Sequence, residues 1–123
     1  MKSKKPKKPK KTTLRNKCDK LVGIEVRKLG KCEICGKTEE LQWCHFISRG
    51  VIKLRYHKKN NACLCAGCHF KGHSNPKWFV IMWDKIKGPG TTMWLYRESN
   101  KLKPIEIKFY EDIIEEYEKL EME

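Results

Sequence analysis

No run in this 123-residue chain approaches the ~20 apolar residues that a membrane-spanning helix needs. No apolar segment follows the lysine-rich start, so no secretory signal is expected there. No internal repeat is visible, which sets aside solenoids and arrays. Negative charge is scarce early and gathered late. The first eleven residues hold seven lysines, whereas the last thirteen hold seven carboxylates and one lysine. These absences speak against a membrane protein and against a secreted disulfide framework, and leave one compact domain as the expectation for this length.

Positive charge and cysteine are plentiful. The formal net charge is +13, and a basic excess in the first two-thirds of the chain points to a polyanion, nucleic acid above all. The seven cysteines are an odd number, with five in or beside close-spaced pairs. Cys32-x-x-Cys35 and Cys65-x-x-Cys68 have the pairing of a tetrahedral tetrathiolate zinc site. Two other readings stay open: reduced thiols with no metal, or a ligand set that recruits Cys63 or His69. A domain this small buries little apolar surface, which favours a structural Zn²⁺.

Along the chain, residues 1–13 form a Lys/Pro tract with nothing to bury. They are expected to be a disordered basic tail, either gripping phosphates or merely solubilising. Residues 14–29 predict a helix, with Leu14, Cys18, Leu21, Val22, Val26 and Leu29 at three- and four-residue spacings. Thr12 or Thr13 is the expected cap and Gly30 the left-handed exit. Cys18 lies on the apolar stripe and reads as core. Gly36 suits a zinc knuckle over 31–37, and 41–47 predicts a strand that pairs with the knuckle. A basic loop over 48–59 precedes a helix over 64–73. Asn75 and Pro76 start the next helix, whose Trp78, Phe79, Met82, Trp83 and Ile86 form an apolar face. After Gly88-Pro89-Gly90, residues 91–100 predict a further helix and 109–122 an acidic amphipathic one, with 101–108 either linker or strand. The fold class expected is α+β: a treble-clef ββα-metal zinc-finger core flanked by helices.

The histidines and asparagines that lie between and just after the two cysteine pairs suggest phosphodiester chemistry, which needs an activated water, a cation on the phosphate and charge relief for the leaving oxygen. His45 is the candidate general base, since an imidazole titrates near ~6.5. His69 and His73, four apart on a helix, share a face and can hold a divalent cation. Arg49, Lys53 and Arg55 are the candidate phosphate contacts.

The stretches Cys44-His45-Phe46-Ile47-Ser48-Arg49-Gly50, Arg55-Tyr56-His57-Lys58-Lys59-Asn60 and His73-Ser74-Asn75-Pro76 resemble the HNH endonuclease superfamily. Within it, they are most similar to the phage NinG-type (Rap) recombination nucleases. The likeness runs over residues 14–90. It implies an HNH-type nuclease domain over 14–100, followed at 101–123 by linker and the acidic helix. It implies catalytic metal ligands at His69 and His73, and an asparagine at Asn60, with Asn61 the neighbouring alternative, that ties down the loop and orients the base. It implies DNA as partner, branched or recombination-intermediate DNA included, and products with a 5′-phosphate and a 3′-hydroxyl. It also implies the cytoplasm of a prokaryotic or phage-infected cell. Where the family often has Asp or His as a ligand before the catalytic histidine, this chain has Cys44. Cys44 is thus either a further ligand for a transition metal or packing. The catalytic cation is accordingly Mg²⁺, Mn²⁺ or another transition metal. His57 falls where an Asp is expected and is assigned no role. Two competing readings are a non-catalytic zinc-finger module that binds DNA or RNA, and an assembly or ribosome-associated protein using the acidic helix, as monomer or homodimer.

Overall fold

In a computed structural model that describes residues 10–122, the stripe Leu14, Cys18, Leu21, Val22 and Val26 folds as helix α1, Lys11–Arg27. Gly30, with φ 76°, turns the chain out of it. The start of α1 differs from expectation. Lys10 is the N-cap and no side chain caps the helix, so neither Thr12 nor Thr13 does so. Of the expected disordered tail, residues 1–9 lie outside the described residues. Lys11, Thr12 and Thr13 are the first turn of α1, tied down where Lys11 Nζ donates to the Ile105 carbonyl at 2.6 Å.

Strand β1, Leu41–His45, pairs antiparallel with β2, Asn61–Cys65; Leu41 lies opposite Cys65 and His45 opposite Asn61. The partner of β1 is therefore not the knuckle, and the residues entering the second cysteine pair are strand. The following helix, α3, begins only at Ala66 and runs Ala66–Ser74. The backbone explains this. The knuckle closes on itself, with Gly36 N–H on the Cys32 carbonyl at 2.9 Å and Cys32 N–H on that of Lys37 at 2.8 Å. Its Glu33 N–H reaches the Cys63 carbonyl at 2.8 Å. The Glu33 carboxylate in turn accepts from Cys63 N–H at 2.7 Å and from Lys87 Nζ at 3.0 Å.

A short helix, α2 (Ile52–Arg55), and a 3₁₀ turn (Lys58–Asn60) interrupt the basic loop. Helix α4, Pro76–Lys87, starts as the spacing predicts: Asn75 Oδ1 accepts from Trp78 N–H at 3.2 Å and Pro76 opens the first turn. Helices α5 (Thr91–Ser99) and α6 (Ile107–Glu121) complete an α+β fold of six α-helices and one two-stranded sheet among the described residues. Residues 101–106 form no strand.

Two apolar clusters hold these elements together. One joins Cys44, Leu54, Ala62, Leu64, Phe79, Trp83 and Leu95. The other joins Cys18 and Val22 of α1 to Tyr110 and Tyr117 of α6, with Tyr56 between. The acidic helix thus lays its apolar side, including Ile113, Ile114 and Leu120, against α1. No helix among the described residues is long and apolar enough to cross a membrane.

Helices α3 and α4 meet at Gly72, where an added Cβ would lie 2.5 Å from the Phe79 ring. Alanine there gains ~1 kcal/mol of helix propensity, but overpacking a core costs about 1–3 kcal/mol. Gly72→Ala is therefore expected to lower the urea midpoint; a raised midpoint would mean that Phe79 moves aside freely.

Candidate functional site

The two cysteine pairs converge. One sulfur atom from each of Cys32, Cys35, Cys65 and Cys68 lies within 4.8 Å of the other three. Cys35 Sγ and Cys65 Sγ are 3.7 Å apart, too far for a disulfide and close to the ~3.8 Å that ~2.3 Å Zn–S bonds in a tetrahedron impose. Gly36, with φ 79°, makes the tight return after Cys35, and Cys68 N–H donates to Cys65 Sγ at 3.4 Å. Burial raises the Cys32 thiol. The N–H groups of Cys35, Cys65 and Ile34, with the Cys35 thiol, outweigh that and bring it down to about 7. A backbone that favours thiolate at one sulfur among four is suited to a cation, and these four cysteines can hold a zinc.

A second cluster lies in an open cleft of about 400 Å³, lined by Trp43, His45, Phe46, Ser48, Arg49, His69 and His73. His45 ends β1, whereas His69 and His73 sit one turn apart on α3. His45 Nε2 lies 3.0 Å from the Arg55 carbonyl. A carbonyl only accepts, so Nε2 carries the proton and Nδ1 keeps its lone pair. The Nε2 atoms of His69 and His73 are 2.9 Å apart, and His69 Nδ1 lies 2.5 Å from Gln42 Oε1. That amide oxygen accepts a hydrogen bond from Nδ1–H, which leaves His69 Nε2 as the acceptor facing His73 Nε2.

The two asparagines that sequence leaves as alternatives do different things. Asn60 is fully buried. Its Oδ1 accepts from Phe46 N–H at 3.2 Å and Ile47 N–H at 2.7 Å, and its Nδ2 donates to the carbonyls of Ile47 and Leu54 at 3.1 and 3.2 Å. It fastens both ends of the loop that follows His45. Asn61 accepts from Trp43 Nε1 at 2.7 Å, and the Trp43 ring stands 4.7 Å from that of His45.

Three expected site residues lie elsewhere. Cys44 is fully buried in the first cluster and does not line the cleft; burial pushes its thiol up to about 12. It packs in that cluster. Arg55 is only 7% exposed and is held by Asp19, with Nε to Oδ1 at 2.9 Å and Nη2 to Oδ2 at 2.6 Å. A guanidinium so engaged is withdrawn from phosphate. Lys53 Nζ donates to the Lys101 carbonyl and lines a different hollow with His57 and Trp94. Of the three basic candidates only Arg49, exposed on the loop, borders the histidine cleft.

Sequence reasoning misses Asp19 and Gln42. Asp19 on α1 also accepts from Tyr56 Oη at 2.8 Å, so one carboxylate anchors the backbone whose carbonyl orients His45. A signal was present: Asp19 is the sole acid in the first 24 residues. Gln42 had none, since a polar residue on an exposed strand position reads as solvent face.

Burial pushes the pKa of His45 down to about 4; the charges of Arg55 and Arg49 add to this and the Arg55 carbonyl opposes it. His57 is lowered too, by burial and then Lys59. Between ~6.5 and about 4 the unfolded chain binds protons that the folded chain does not, so stability rises with pH in that window. The urea midpoint should fall as pH drops from 7 towards 4, and His45→Gln should flatten that slope; equal slopes in the two proteins would contradict the assignment.

Comparison with protein-family models, with curated proteins and with solved structures returns no match for this chain.

Proposed function

We propose that the chain is a metal-dependent DNA endonuclease of HNH type, built on a treble-clef core in which β1, β2 and α3 surround a structural zinc on Cys32, Cys35, Cys65 and Cys68. One observation carries the reading. A single cleft holds an imidazole whose Nε2 meets a backbone carbonyl beside two imidazoles whose Nε2 atoms are 2.9 Å apart. The Nε2 atoms of His69 and His73 converge, so these two residues would hold a divalent cation between them. Imidazole donors favour a transition ion over Mg²⁺. When bound, that ion supplies charge relief for the phosphate oxygens.

The chain's own residues do the rest. His45 Nδ1 takes a proton from a water molecule as its oxygen attacks phosphorus. The P–O3′ bond breaks, the electron pair stays on O3′, and solvent returns a proton to it, giving a 5′-phosphate and a 3′-hydroxyl. The Arg55 carbonyl holds the ring and shares the proton already on Nε2. Burial keeps His45 neutral at pH 7 and makes it a weaker base than a free imidazole. Asn60 fixes the loop that carries Arg49. Arg49 contacts the phosphate, and the +13 chain gathers DNA with a salt-dependent affinity.

Supercoiled plasmid incubated with the full chain and Mn²⁺, Ni²⁺, Zn²⁺ or Mg²⁺ tests the reading. Nicked circles that a ligase reseals directly are expected. DNA that is bound but intact with every ion would make the chain a non-catalytic zinc-finger binding module.

A further inference from the structure

Phe46 belongs at once to the cleft and to an aromatic row that leads out of it. Its ring is fixed from inside by Phe79 at 5.5 Å and Trp83 at 5.7 Å. On its outer side it meets Tyr96 of α5 at 5.3 Å, with the rings at 74°. Tyr96 is 47% exposed although α5 already buries Thr91, Thr92 and Leu95 on its inner side. Met93, one turn earlier, and Arg97, the next residue, are exposed too. An aromatic ring held edge to face by a buried cluster keeps its orientation while its outer surface stays in water. Exposed tyrosine with a cation beside it is the composition of a surface that stacks nucleobases, because every base has a π-face and the neighbouring cation takes the phosphate.

We propose that Tyr96, braced by Phe46, is a nucleobase-stacking subsite at the rim of the histidine cleft, receiving an unpaired base next to the phosphate. The occupant is an unpaired base because a base inside a duplex has both faces covered by its neighbours. Arg49, which lines the cleft that Phe46 also borders, supplies the flanking cation. The subsite rests on the nuclease reading for its purpose and gives that reading a substrate class: DNA with unpaired bases at or beside the cut.

The test is binding, which needs no cleavage. Affinity of the full chain is measured for a matched duplex and for the same duplex carrying one extrahelical 2-aminopurine, with wild type, Tyr96→Ala, Tyr96→Leu and Tyr96→Phe. Wild type should prefer the bulged DNA and change the fluorescence of its 2-aminopurine. The alanine and leucine variants should lose that preference by about 5- to 100-fold, the phenylalanine variant should keep it, and the affinity for matched duplex should move less than about twofold. A leucine variant that keeps the preference, an equal loss on both DNAs, or a wild type with no preference overturns the proposal. The two readings fail separately. A chain with a Tyr96-dependent preference that never cuts removes the nuclease and leaves the subsite. If Tyr96→Ala cuts bulged and matched DNA in the same ratio as wild type does, the subsite is removed and the nuclease stays.

Discussion

His45→Ala is expected to nick plasmid about 10²–10⁴-fold more slowly than wild type, the usual contribution of a positioned general base, while DNA affinity stays within about twofold. Phosphate attraction comes from arginine and lysine, none of which the substitution removes. Alanine also strips the Arg55 carbonyl of its donor and opens space beside Trp43, so part of its effect is structural. His45→Gln separates the two. A glutamine N–H can still meet that carbonyl but cannot accept a proton from water at neutral pH. It should be as slow as alanine and melt closer to wild type. A glutamine variant that cuts at the wild-type rate would remove His45 from the chemistry.

Cys35→Ser is expected to cost several kcal/mol of stability, on the order of what structural zinc sites contribute to folding. The position makes the result diagnostic. Cys35 is exposed, and substitutions at exposed positions without a special partner usually change stability by less than about 0.5 kcal/mol. A large loss there has one physical source, the removal of one of four thiolates from a shared cation. Prolonged chelation should unfold the wild type and leave Cys35→Ser, already destabilised, less affected. Thermal melts with and without chelator read both. A Cys35→Ser protein that melts with wild type would mean that the four sulfurs hold no metal.

Local signals carry much of the reading. The apolar stripe of α1, Gly30 at its exit, and Asn75 with Pro76 at the start of α4 are written in single residues a few positions apart. So is the amphipathic face of α6, though its packing on α1 is a long-range event that periodicity does not announce. Asn61–Cys65 reads partly as helix because five residues with two cysteines carry little strand signal; its identity comes from β1, a partner some twenty residues away. The site divides the same way. The four cysteines and the histidine pair are spacing patterns. Arg55 looks like a free cation because sequence shows charge and hides the partner: Asp19 lies 36 positions earlier, across a helix packing. Gln42 is invisible for the same reason, since its role exists only once α3 lies beside β1.

If base and cation pair act on one phosphate, their losses cannot multiply, because either alone already abolishes the concerted step. Nicking rates of wild type, His45→Ala, His73→Ala and the double variant, measured with saturating protein, test this directly. The double variant should cut no more than about threefold more slowly than the slower single variant. Losses that multiply, or a wild type that leaves the plasmid supercoiled with every ion, would contradict a shared active site in this cleft.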